Sequence, residues 1–447
     1  MTMNMLRFAL CLLAYTAVAS AQYWEQTSGP PAPTVCLAAN SKGHVFAGTQ
    51  FSKVYRTTDR GTNWEPFENG IATGMDFSTV SQIQVGPNDV LFAAVYGLGL
   101  LRSDDNGESW RKLDLKIDNM TTSSRLFFHL KPLSSGALQI FVGYDGGPTK
   151  LLMRISNDGG ETFTEVSRSN IPSATNSIFG VFISPTSNKL FVLVSYNKGL
   201  YRTTNGGASW ARIDTDASSG ESDDTFRQMT SDEKGHLYVG RNALPGSAKT
   251  PNAVVMKSTN DGESWSYLTN GWDNRDVTNN RISSISIGKN GRIWATLEKS
   301  TGPMLSTNYG ESWTAIKEGF EGDDGAARSI VISPDGAEYV APIQGFVMRH
   351  LGAASVNEIL SNLRIDAFPN PASDRLRIDL GSQDAGTFEI ELVDAAGRQV
   401  IPSHRAVTGG GASTSVWLST SDIPSGMYSA VIRSQGGVRS VPVAVVH

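Results

Sequence analysis

Thr57-Thr-Asp-Arg-Gly-Thr-Asn-Trp64 is the first of six copies of one phrase. The others are Ser103-Asp-Asp-Asn-Gly-Glu-Ser-Trp110, Ser156-Asn-Asp-Gly-Gly-Glu-Thr-Phe163, Thr203-Thr-Asn-Gly-Gly-Ala-Ser-Trp210, Ser258-Thr-Asn-Asp-Gly-Glu-Ser-Trp265 and Ser306-Thr-Asn-Tyr-Gly-Glu-Ser-Trp313. They return every 46 to 55 residues, and a period of that size marks stacked units that cannot bury their apolar faces alone. Within each phrase the Asp or Asn can satisfy turn N–H groups, Gly can take a positive φ, and the closing aromatic can pack back. Each phrase therefore reads as a tight turn between antiparallel strands. The central residues Asp59, Asp105, Asp158, Asn205, Asn260 and Asn308 read as structural, because a turn accepts acid or amide whereas a catalytic acid would not exchange with Asn.

A second column sets the number of units. An aromatic stands in a short apolar strand at Phe46, Phe92, Phe141, Phe191, Tyr238, Trp294 and Tyr339, one more than the phrases. Before each lies another strand and a turn such as Ser333-Pro-Asp-Gly336; after it comes a third strand running into the phrase, whose Trp opens a fourth. The seventh unit has its third strand at Gly345-Phe-Val-Met-Arg349 but no fourth. Tyr23-Trp-Glu-Gln-Thr-Ser-Gly29 resembles the fourth-strand phrases Ser264-Trp-Ser-Tyr-Leu-Thr-Asn-Gly271 and Ser312-Trp-Thr-Ala-Ile-Lys-Glu-Gly319 without a turn before it. The N-terminal strand is thus expected to complete the last unit and leave no open edge.

The phrase resembles the Asp-box, or BNR repeat, of sialidase-like propellers. That resemblance implies an all-β fold: a seven-bladed β-propeller over residues 22–350, closed by the N-terminal strand. It also implies that the boxes lie on the face away from the ligand. A likeness extends to the seven-bladed propellers that assist photosystem assembly, which are not enzymes.

The ends of the chain differ in kind. Residues 1–21 hold Arg7, an apolar run from Phe8 to Val18 and Ala19-Ser-Ala21, the pattern of a signal peptide. The apolar run is too short for a membrane helix, and no later segment could span a bilayer. Cys36 is the one cysteine after the signal, so no internal disulfide is available and the residue reads as buried. Residues 351–363 read as a linker. Residues 364–447 open with Ala367-Phe-Pro-Asn-Pro-Ala-Ser-Asp374, continue through Phe388-Glu-Ile-Glu-Leu-Val-Asp-Ala-Ala-Gly-Arg-Gln-Val400 and reach Leu418-Ser-Thr-Ser-Asp-Ile-Pro-Ser-Gly-Met-Tyr428. Strands broken by Gly, Pro and Asp suggest a small Ig-like β-sandwich. These motifs resemble the C-terminal sorting domain of type IX secretion, which implies passage through the periplasm, recognition by the secretion machinery and a secreted or outer-membrane surface location. Members usually end in a lysine-bearing strand, whereas this chain ends Ser440-Val-Pro-Val-Ala-Val-Val-His447, so the resemblance speaks to export more than to attachment.

For chemistry, the formal charge of -5 and the lack of a basic block give no reason to expect nucleic acid. No metal-ligand pattern, phosphate loop or serine elbow appears, so no cofactor or metal is expected. A sialidase-like glycoside hydrolase is the alternative reading. The resemblance would then require a Phe/Tyr-Arg-Ile-Pro phrase, which is absent, and hydrolysis needs two carboxylates about 5 to 10 Å apart, which no spacing singles out. The preferred reading is a non-catalytic propeller that binds a protein or glycan through its loop face. Arg125, Arg227, Arg281 and Arg328 are expected just ahead of the first strands of blades three, five, six and seven, converging on the channel mouth as an anion site. The competing reading ties them to Asp224, Asp276 or Asp324. Trp272 is the one tryptophan outside the repeated places and is the other ligand candidate, with a packed loop anchor as its alternative.

Overall fold

All six phrases fold into one hydrogen-bonded turn. In the computed structural model the described residues are 23–447 apart from 52, 68, 72–77, 119, 122–123, 147–150, 172–177, 195–198, 214–223, 244–252, 273–280, 299–301, 318, 321–324, 351–363, 382–385, 395–398, 409–412 and 435–436. The signal-peptide and linker readings lie outside them. In every turn the first-residue hydroxyl accepts the N–H of the glycine four residues on, at 2.8 to 3.0 Å. The same hydroxyl donates to Oδ1 of Asp59, Asp105, Asp158, Asn205, Asn260 or Asn308. That Oδ1 in turn accepts the N–H of the seventh residue.

A further bond, from the other side-chain atom to the hydroxyl of the seventh residue, shows why acid and amide exchange. Asp158 Oδ2 accepts the Thr162 hydroxyl, whereas Asn205 Nδ2 donates to the Ser209 hydroxyl at 2.9 Å. A hydroxyl serves either way, so only the direction of one hydrogen bond reverses. Positive φ is needed at two successive residues rather than at the glycine alone: Arg60, Asn106, Asp261 and Tyr309 take φ of 57° to 62° just before the glycine.

Between the turns the strands form seven four-stranded sheets. The first runs through Thr34–Ala39, Val45–Thr49, Val54–Thr57 and Glu65–Phe67. The inner strands of the next five are Val80–Val85, Arg125–Pro132, Ile178–Ile183, Asp224–Ser231 and Ile282–Ile287. The last sheet holds Ala327–Ile332, Glu338–Pro342, Met348–His350 and, as its outer strand, Trp24–Gln26. Trp24 lies opposite His350 and Gln26 opposite Met348 in antiparallel register.

The core is a ring of inter-blade clusters. The seven column aromatics are buried to 1% exposure or less, and each packs into the following blade: Phe46 with Val80 and Leu91, Phe141 with Ile178, Tyr339 with Leu37 and Val45. A basic residue on the third strand then reaches the next turn. Arg56, Arg102 and Arg349 donate to the carbonyls of Asn106, Gly159 and Arg60, the last across the seam. A third contact needs glycine: a Cβ on Gly70, Gly271 or Gly319, all at positive φ, would lie within 2.2 Å of the carbonyl oxygen of Trp110, Trp313 or Trp24 in the next blade. Trp24 therefore stands where the turn tryptophans of other blades stand.

The seam adds an aromatic and ionic cluster. Trp24 packs against Trp294 at 5.2 Å and His350 at 5.3 Å, and Tyr23 stacks on His350 at 4.0 Å. Beneath them the buried Glu338 pairs with Arg292 and lies 2.8 Å from His350 Nδ1. Burial opposes ionisation of Glu338, but His350 and Arg292 outweigh it and hold its carboxyl below the usual range.

Residues 364–447 form a three-stranded and a four-stranded sheet. Leu376, Ile378 and Leu418 of one share a buried core with Phe388, Ile390 and Ile432 of the other. Among the described residues no helix is long and apolar enough to cross a membrane.

Two outcomes follow from this construction. Trp24→Ala removes a fully buried indole and should cost about 3 to 5 kcal/mol, lowering the melting temperature of the ring in calorimetry. Asp158 is held below the usual carboxylate range by the Thr162 hydroxyl and N–H and by the Ser156 hydroxyl. Depressed folded values mean stability present above the unfolded pKa of about 4 and lost as pH falls through the folded one. Combining Asp59→Asn, Asp105→Asn and Asp158→Asn should leave the neutral melting temperature within a few degrees and flatten its decline below about pH 4.

Candidate functional site

The innermost strand of a blade has one edge with no strand beside it, so its N–H and C=O groups need other partners. Side chains of the neighbouring inner strand supply them. Gln82 donates to and accepts from the backbone of Phe128, Gln84 bridges Phe128 and Leu130, and Gln228 does the same for Ile285. His129 Nδ1 accepts the Ile183 N–H, and Ser329 accepts the Leu37 N–H across the seam. Burial, with Lys131 nearby, pushes the His129 imidazole down to about 3, so it is a neutral acceptor.

These inner strands are not regular. In six of the seven, one residue is skipped in the pairing: Val35, Ser81, Phe179, Gln228, Ser283 and Arg328. A bulge turns the extra residue out of the ladder, and all six line one cavity of about 500 Å³. Blade three pairs without interruption and contributes Arg125, Phe127 and Phe128. Tyr96, Glu298 and Ile343, each just past a second strand, complete the wall. The cavity therefore opens at the end of the channel where second and third strands join, the end expected for a ligand.

Three of the four arginines meet there. Arg125, Arg227 and Arg328 line the cavity, and Arg281 stands beside it, 4.0 Å from Glu298 Oε2. Their expected common position is corrected: Arg125 begins its strand, Arg281 precedes its strand, and Arg227 and Arg328 lie inside theirs, beside or at the bulge. Arg227 is 3.2 Å from Glu298 Oε1 and lies over the Phe179 ring at 4.6 Å. Burial lowers the Arg227 pKa, Glu298 opposes this, and Arg281 and Arg125 add to the lowering, so these cations feel one another. Burial pushes the Tyr96 phenol up, leaving a protonated donor beside them.

The acids of the competing reading, Asp276, Asp324 and the side chain of Asp224, lie outside the described residues. The observed partner is Glu298. Trp272 is not on the cavity wall; it packs on Trp313 at 5.4 Å and joins the cores on both sides of blade five. Tyr96, Glu298, Phe127 and Phe179 were not singled out in sequence. The shared signal was available, since Tyr96 and Glu298 follow their column aromatics by four residues, but a bulge leaves no mark in a period-two pattern.

With this geometry in place, comparison with known proteins adds the following. A family model described as Sortilin, neurotensin receptor 3, matches residues 152–299, and one described as Secretion system C-terminal sorting domain matches residues 366–444. No curated protein matches. Among solved structures, PorZ, an essential bacterial surface component of the type-IX secretion system of Porphyromonas gingivalis, is similar with TM-score 0.59 at 14% identity, over 94% of this chain and 60% of that one. The extracellular domain of the two-component system BT4673 from B. thetaiotaomicron gives 0.54 at 13%, over 82% and 45%. YCF48 bound to D1 peptide gives 0.52 at 15%, over 74% and 97%. The chain spans 60% and 45% of the first two, and likeness at these identities concerns fold alone.

Glu298→Gln tests the electrostatic balance at the mouth. Losing the one carboxylate of the wall should lower stability by about 1 kcal/mol through Arg227 and Arg281. It should also increase the rise in melting temperature produced by added sulfate, measured at fixed ionic strength.

Proposed function

We propose that this β-propeller, exported by way of its type IX secretion sorting domain, is a non-catalytic surface or secreted receptor that holds an anionic group at its channel mouth. The convergence of Arg125, Arg227 and Arg328 on one cavity carries the reading. Among the described lining residues three guanidiniums stand against one carboxylate in a chain of formal charge -5, and forked donors suit carboxylate, sulfate or phosphate. Arg281, beside Glu298, extends the positive rim.

Hydrolysis of a glycoside is poorly supported by the same wall. It needs an acid and a second carboxylate, and Glu298, the one carboxylate among the lining residues, is paired with Arg227. That a propeller of this fold has been solved with a bound peptide supports a binding role without chemistry. On this reading residues 22–350 are the receptor, 351–363 the linker and 364–447 the export signal. Trp272 serves as an anchor between blades rather than as a ligand contact.

Binding and turnover can be measured on the full chain. Sulfate and citrate should raise the melting temperature of the parent with a salt-sensitive dependence. Arg125→Ala combined with Arg328→Ala should fold and lose at least tenfold in anion affinity. A panel of fluorogenic glycosides, including a sialoside, should show no turnover; release of fluorophore that disappears in Glu298→Gln would replace the receptor with a hydrolase.

A further inference from the structure

Seven large apolar residues stand exposed among the described residues, and two of them belong to the propeller: Phe51, 51% exposed, and Phe346, 39% exposed. Both occupy turns between a second and a third strand, Phe51 between Thr49 and Val54 in the first sheet and Phe346 between Pro342 and Met348 in the last. Those sheets are neighbours in the ring, joined where the Leu37 N–H donates to Ser329 at 3.0 Å. Both turns adjoin the cavity. Ile343, which opens the Phe346 turn, lines it. Gln50, beside Phe51, donates its N–H to Pro33, two residues before the lining residue Val35.

Phe51 also holds φ of 69°, a conformation that a bulky residue rarely adopts and that Asn or Gly would take without strain. An exposed, strained aromatic contributes nothing to the core that would explain it. Strain of this kind collects at ligand contacts.

The chemistry of the wall narrows the ligand. A sugar presents hydroxyls that donate as well as accept, so its recognition calls for free acceptors. Here the carbonyl oxygens of Gln82, Gln84 and Gln228 are taken by backbone N–H groups, and Glu298 is taken by Arg227. What the site offers is cationic donors, one of them, Arg227, lying over the Phe179 ring, the Tyr96 hydroxyl and the Phe127 ring, with two more aromatic rings at the rim. Phenylalanine has no polar handle for a hydroxylated ligand and suits an apolar side chain.

Resting on the anion reading above, we infer that the ligand is an extended acidic peptide, one carboxylate of which enters the arginine-lined cavity while a neighbouring apolar side chain packs on Phe51 and Phe346. The opposite signs of site and ligand set its orientation and capture rate, and the phenylalanines select among acidic sequences.

Panning a random-peptide display library on the full chain, with polygalacturonate titrated in parallel, tests this. Enriched sequences should pair Asp or Glu with an apolar residue close by. A synthetic copy should bind the parent at least tenfold more tightly than it binds the double variant Phe51→Asn, Phe346→Ser. Folding is monitored by melting, and Phe51→Asn alone should keep or raise the melting temperature because it relieves the positive φ. Unchanged peptide affinity in the folded double variant overturns the rim assignment. Tight polygalacturonate binding with no enriched acidic peptide overturns the peptide while leaving the anion site intact. If Arg125→Ala with Arg328→Ala changes nothing either, the cavity is not the site and both readings fall.

Discussion

No blade of this propeller owns a core. Each column aromatic, from Phe46 to Tyr339, is buried against the blade that follows, and the clusters run around the ring without a break. Such an arrangement holds only if the circle closes, because an open end would expose one whole cluster to water. The Trp24–Gln26 strand meets that demand by pairing with Met348–His350, and the last cluster carries Trp24, Trp294 and the buried Glu338 with Arg292 and His350 below it. An ion pair in such a place contributes little net stability but is costly to leave half-made. Because Arg292 belongs to blade six and His350 to blade seven, the pair ties those two blades together beside the closing strand.

Closure also explains the channel. Seven inner strands brought edge-on around an axis cannot hydrogen-bond to one another as a continuous sheet, so Gln, Ser, Asn and His side chains take over the backbone groups between them. Those side chains are spent on structure. The bulges then place one further residue of most inner strands on the cavity wall: Phe179 and Arg328 stand outside the ladder there, whereas Gln228 also holds the Ile285 backbone. A scaffold that separates holding residues from displayed ones can change its ligand while keeping its fold.

The turns face a different constraint. Their six hydrogen-bonded hydroxyls satisfy backbone N–H groups locally, so each hairpin is specified within eight residues of sequence. The sorting domain has its own buried core, and its match to known export domains covers residues 366–444, so the signal for export and the surface proposed for binding reside in separate parts of the chain.

Legibility in the sequence follows that same division between local and non-local. The Thr57 and Ser306 turns, the Phe46 to Tyr339 column, the likeness of Tyr23–Gly29 to an outer strand and the tail motifs could be read directly, because each depends on residues close in the chain or on a repeat that copies itself. The four arginines could be singled out as standing near one end of the inner strands, but not which of them share a cavity. Arg328 is itself a bulged residue and Arg227 stands next to one, and a bulge depends on the partner strand. Glu298 meets Arg227 because blade five and blade six are brought together around the axis. Trp272 looked unassigned in sequence, yet it packs on Trp313, a contact created by the neighbouring blade. Local hydrogen bonding and periodic burial were therefore determined by the sequence itself, while the composition of the cavity was decided by the tertiary structure, since the curvature of the ring chooses which side chains of different blades come face to face.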